Sequence, residues 1–187
     1  MASKPKRRRK EELNEIETIL LGDDLNQIAV MLSDLITIKE VELEAKVKEC
    51  PRLGVSLVTI LWKCSLQDLK QQSQWLQILK NVVRVLIHIC DTLPSLCLQL
   101  AEPRRNFTNI AVRILENPKI SWEVKCFVLR LISSIAKHHR CLEMIIENTH
   151  LIDRIAMALD HEDVMVAKVA LQIADVLTVN KHGVKVG

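Results

Sequence analysis

The densest chemistry in the chain is Pro5-Lys6-Arg7-Arg8-Arg9-Lys10. With Lys4 it places six positive charges and no acid within residues 1–10. Cationic side chains packed this closely suit an extended segment in an acidic groove, where each finds a carboxylate. Lys4, Lys6, Arg7, Arg8, Arg9 and Lys10 therefore read as a monopartite nuclear-localisation signal, with a nuclear-import receptor as its partner. The competing reading is a solubilising tail, or a nonspecific contact with RNA, DNA or anionic lipid.

His138, His139 and Cys141 carry metal-ligand side chains. Zinc needs ligands that converge from two or more elements, and no second Cys/His pair stands at zinc spacing. His88 and Cys90 point apart on one helix. No metal is expected. The chain has no G-x-S-x-G, P-loop, G-x-G-x-x-G or H-E-x-x-H, the motifs that would position a nucleophile, a phosphate or a catalytic zinc. Acid pairs such as Asp23-Asp24 fall at helix starts, where capping accounts for them. Catalytic residues and cofactors are not expected, and the chain does not read as an enzyme. Six cysteines, Cys50, Cys64, Cys90, Cys97, Cys126 and Cys141, lie mostly on apolar stripes without a C-x-x-C pair. They read as reduced core thiols of an intracellular protein.

The elements that position these residues are helices. Apolar residues make up 49% of 187, while Gly numbers 4, Pro 5 and Tyr 0. A Leu, Ile and Val core with so few turn formers argues for an all-α fold. No run of 18 apolar residues offers a membrane span. Of the 26 basic residues six lie in 1–10, leaving 20 against 23 acids, a body of net −3. Nucleic acid is accordingly not expected as a ligand except through the tail.

Apolar spacing predicts helices near 11–21, 25–35, 55–64, 75–91, 93–100, 106–116, 122–137, 142–146, 151–159 and 164–177. Residues 39–50 read as a further, more charged helix, in which Val41, Leu43, Ala45 and Val47 fit a helical stripe poorly. From residue 75 the order is long, short, medium, long, short, medium, long. Val124, Val128, Leu129, Leu131, Ile132 and Ile135 return 42 residues later as Val166, Ala170, Leu171, Ile173, Ala174 and Leu177. A period near 42 with several helices per period is the mark of a helical solenoid, in which each unit buries its apolar face on the next. Ile173 and Leu177 close the last long helix and are expected to lack part of their cover. On the same register a new short helix should start near residue 182.

The stretch SSIAKHHRCLEMIIENTHLIDRIAMALDHEDVMVAKVALQIADVL, Ser133 to Leu177, resembles armadillo repeats: long helix, small-residue turn, short helix, medium helix, acidic break, long helix. The glycine usual between the short and medium helices is absent, and Asn148-Thr149-His150 stands there, which leaves the HEAT class or a hybrid open. The resemblance implies a right-handed α-solenoid of armadillo/HEAT-like repeats over 74–187, after a disordered basic tail (1–10) and an irregular helical cap or degenerate repeat (11–73). Residues 121–183 also resemble the N-terminal repeats of the HEAT-like proteasome base-assembly chaperones of the non-ATPase subunit five type. The Trp-x-x-x-Asn arrays of import receptors are missing, because Leu79 follows Trp75 and Cys126 follows Trp122 at that spacing.

The resemblance implies a protein-binding scaffold that takes a peptide or helix of a partner along the concave face of its long helices. Arg84, His88, Arg130, Ser134, Lys168 and Gln172 are the candidate contacts, with Lys80, Glu123 and Asp175 beside them. The alternatives are an assembly chaperone and a basic-tail tether to nucleic acid. The nucleus is the expected location, with the cytoplasm second.

Overall fold

Every regular element among the residues described, 14–69 and 73–186 of this computed structural model, is helical. Side chains are described as far as residue 179, and the expected signal at Lys4 to Lys10 lies outside these limits. In chain order the helices are α1 (Glu15–Leu20), α2 (Leu25–Ile36), α3 (Glu40–Glu49), α4 (Leu53–Ser65), α5 (Gln74–Thr92), α6 (Cys97–Leu100), α7 (Phe107–Glu116), α8 (Trp122–Ile135), α9 (His139–Glu147), α10 (Thr149–Ala158) and α11 (Val164–Val186). Among the described residues no helix is long and apolar enough to cross a membrane.

Short polar side chains set where these helices begin, because each accepts from a first-turn N–H that has no partner inside its helix. Asp24 Oδ1 accepts from Asn26 and Gln27 at 3.0 and 3.2 Å. Ser73 Oγ accepts from Trp75 at 3.2 Å, and Asn148 Oδ1 from Leu151 at 3.1 Å. Asn148 also explains the missing glycine. Its φ is −97°, open to any residue, and its side chain caps α10 while Nδ2 donates to Asn109 at 2.8 Å. Asn106 is the one non-glycine residue at positive φ among those described, at 53°, a conformation asparagine tolerates better than most. It turns the chain from the Pro103–Arg105 turn into α7.

The long helices pack in sequence, α2 on α5, α5 on α8 and α8 on α11. A second row runs α4 on α7 and α7 on α10, with α4 against α5, α7 against α8 and α10 against α11. Three side-chain pairs fix how α5 lies on α8. Lys80 Nζ meets Glu123 at 2.9 Å, Asp91 accepts from Ser134, and Arg84 stands over the ring of Phe127. Each pair is 43 residues apart, so the two helices run parallel in a single register. Between the rows, Val82, Val83, Val85, Leu86 and Ile89 of α5 are fully buried, as are Leu129, Leu131 and Ile132 of α8. Burying one such side chain contributes about 1.5–3 kcal/mol, against about 0–1 kcal/mol for a surface ion pair. The apolar stripe holds the rows together, and the polar pairs select the register. Gly54 on α4 lets α6 approach: a Cβ there would lie 2.8 Å from Gln99 Oε1, which accepts from Val55 N at 3.2 Å.

Residues 40–49 form the charged helix expected there, and its poor stripe leaves only Leu43 of α3 buried. Two expectations change. α11 continues to Val186, through the break expected near residue 182. Ile173 is fully buried and Leu177 is half-buried, where both were expected to lack part of their cover. Leu171 is uncovered, 54% exposed, although its counterpart Leu129 is 0% exposed. The 42-residue register gives equivalent positions; it does not give the same neighbours, because α11 covers α8 and no described helix covers the far side of α11.

That contrast sets a paired prediction. Leu129→Asp places an unpaired carboxylate in a closed core and is expected to lower Tm by more than about 10 °C or to abolish soluble expression. Leu171→Asp, at the equivalent position, is expected to leave Tm within about 2 °C. Thermal melts followed by circular dichroism check both.

Candidate functional site: a cationic and aromatic face on α5 and α8

On α8 the residues Glu123, Phe127 and Arg130 follow i, i+4, i+7 spacing, which places them on one stripe facing away from the second row. On α5 the matching stripe holds Lys80 and Arg84. The half-buried ring of Phe127 lies between them. The Arg130 guanidinium is 5.4 Å from its centroid, that of Arg84 5.9 Å, and Lys80 Nζ 6.0 Å. A ring face carries negative potential, so it gathers cations that would otherwise repel one another. Glu123 neutralises Lys80; Arg84 and Arg130 are exposed and have no ion-pair partner among the described residues. The result is an apolar disc flanked by two guanidiniums that have no carboxylate partner among the described residues. It can seat an apolar side chain and bond carboxylates on either side.

The six expected contact residues divide. Arg84 and Arg130 come together here. His88 is half-buried and its Nε2 lies 2.6 Å from the Ile38 carbonyl, so as the N–H donor it ties α5 to the end of α2. Ser134 is buried and donates to Asp91. Lys168 and Gln172 are exposed on α11, along with Asp175. Phe127 was missed by sequence reasoning. The available signal was an aromatic residue on a stripe whose other members are charged.

His138, His139 and Cys141 do not converge. His139 turns outward to Glu143 at 2.8 Å, and Cys141 turns inward to donate to the Cys97 carbonyl at 3.2 Å. All six cysteines are free and buried. Burial pushes the Cys50 and Cys64 thiols up to about 12, assisted at Cys50 by the hydrogen bond to Glu17. Cys90 and Cys141 are raised chiefly by hydrogen bonding to Cys97, whose own pKa is lowered by the same contacts.

Two of the three tryptophans reach the surface. Trp62 is 46% exposed on α4, and Trp122 lies partly open at the start of α8. The Trp122 ring is 4.2 Å from that of His161, and Lys125 Nζ sits 4.9 Å above it. Lys125 is only 5% exposed, and burial depresses its pKa below 10.5.

No family model matches the chain, and neither does any curated protein or solved structure.

The Lys125 amine has a defined linkage. Its folded pKa is lower than its unfolded one, so between the two values the unfolded chain holds more protons and stability from this group rises with pH. Lys125→Met is therefore expected to raise Tm at pH 7 by roughly 2 °C, with the gain shrinking toward pH 10. Melts of both proteins across that range check the sign.

Proposed function

We propose that the chain is a non-enzymatic scaffold, an α-solenoid of armadillo/HEAT type that holds a peptide or helix of a partner protein against its row of long helices. The observation that carries this reading is the pair of exposed guanidiniums of Arg84 and Arg130 over Phe127, with no ion-pair partner among the described residues. A face used only for solvation does not require a half-buried ring there, whereas a docked segment requires both an apolar seat and fixed charges. The stacking of α2, α5, α8 and α11, the 43-residue stagger of α5 on α8, and the repeated order of long, short and medium helices support the solenoid reading. The chemistry of the face favours an acidic segment with one apolar anchor. The run Lys4 to Lys10 is proposed to direct the scaffold to the nucleus.

Photo-crosslinking tests the binding face. With Phe127 replaced by benzoylphenylalanine, irradiation of cells is expected to give one dominant adduct with another protein. The adduct should be lost when Arg84→Glu and Arg130→Glu are added, with Tm unchanged because both arginines are exposed. Adducts no stronger than those from the same probe at exposed Val41 of α3 would contradict the face. For the tail, alanines at Lys6 to Lys10 are expected to move a large fluorescent fusion to the cytoplasm, and unaltered nuclear accumulation would remove the import role.

A further inference from the structure

Arg104, Arg105 and Arg113 line one cleft of about 410 Å³ together with Trp62, Asn106 and Asn109. The cleft is built by α4, the turn before α7, and α7 itself. It therefore belongs to the second row of helices and not to the face of α5 and α8. Arg104 and Arg113 are exposed and have no ion-pair partner among the described residues. Arg105 Nε is buried without a hydrogen bond. Its nearest carboxylate oxygen, Glu102 Oε2, stands 3.7 Å away and already accepts from Arg52 at 2.9 Å.

Folded proteins pair nearly all their buried donors. Two guanidiniums without a carboxylate among the described residues, beside a third whose one carboxylate is shared with Arg52, surround a single cleft and point to an anion that arrives from outside. The number of charges decides which anion. A lone carboxylate would leave the cleft strongly positive. A phosphomonoester carries about −1.5 to −2 charges and three acceptor oxygens, enough for bonds to several guanidiniums at once. The positive surface is also local. The adjoining groove carries Glu102, Glu143 and Glu147, and Glu116 at the end of α7 is paired with Arg154. A polynucleotide needs a continuous track of cations, and these acids interrupt it. Trp62 presents an exposed flat wall at the rim, suited to the side chain next to a phosphorylated residue.

We infer that this cleft binds a phosphoserine or phosphothreonine side chain of a partner protein. Arg104, Arg105 and Arg113 hold the phosphate, and Trp62 packs on the neighbouring residue. The site is separate from the proposed scaffold face and stands whether or not that face takes a peptide.

Retention of the purified full chain on immobilised degenerate ten-residue peptides tests it. The central position is phosphoserine, serine or glutamate, and a uridine decanucleotide serves as a fourth surface. Retention on phosphoserine is expected to exceed that on serine and on glutamate by at least about tenfold. Arg104→Glu with Arg113→Glu should abolish the excess, and Arg104→Gln with Arg113→Gln, which keeps size and shape, should reduce it severalfold. Arg84→Glu with Arg130→Glu should leave it intact. Equal retention on serine and phosphoserine, or loss only with the Arg84 and Arg130 pair, would overturn the assignment. Equal retention on glutamate would make the cleft a carboxylate site, and selective retention on the oligonucleotide would make it a nucleic-acid site. Either result also overturns it.

Discussion

The rest of the structure depends on the burial of α5 on both sides. Its apolar stripe is wide enough that α2, α4 and α8 all pack against it. An isolated helix of this composition would expose Val82, Val83, Val85, Leu86 and Ile89 to water. Hydrophobic burial is non-directional, however, and a stripe of aliphatic side chains tolerates sliding by a turn. Direction comes from polar pairs at the margins. Lys80 with Glu123 and Asp91 with Ser134 sit at opposite ends of the contact between α5 and α8, and a slip of one turn would break both. Each pair is weak alone, yet together they choose among registers that the core leaves nearly degenerate.

Once that register is set, the face follows. Arg84 reaches Phe127 because the same 43-residue stagger carries it there, and Arg130 reaches the ring from one turn further along α8. The second row is placed by the same packing. α7 lies on α4 and α8, the left-handed turn at Asn106 sets the entry to α7, and Arg104 and Arg105 thereby meet Arg113 around one cleft. Two concentrations of arginine thus lie on different rows of helices, each beside an aromatic side chain.

Much of the helical order was legible because aliphatic spacing reports directly on burial. The stripes of α5, α7 and α8 were read within a few residues of their ends, and Val124 and Val166 are both buried, as their 42-residue correspondence implied. What escaped was whatever depends on a third helix. Leu171 looks identical to Leu129 in sequence and differs only in having no described neighbour on its outer side. Phe127 was hidden on a stripe whose other members, Glu123 and Arg130, are charged. His88 and Ser134 looked like free surface groups because their acceptors lie elsewhere, Ile38 between α2 and α3 and Asp91 on α5. The arginine cleft was illegible for the same reason: Arg104 and Arg113 are separated by a turn whose positive φ no stripe reports, and Trp62 comes from a different helix.

Side-chain nuclear Overhauser contacts between α5 and α8 test the account most directly, because one register creates both the core and the face. The expected result is contact from the Phe127 ring to the side chains of both Arg84 and Arg130, with Lys80 near Glu123 and Asp91 near Ser134. Contacts displaced by one helical turn, such as Phe127 to His88 without Arg84, would contradict the register and with it the binding face.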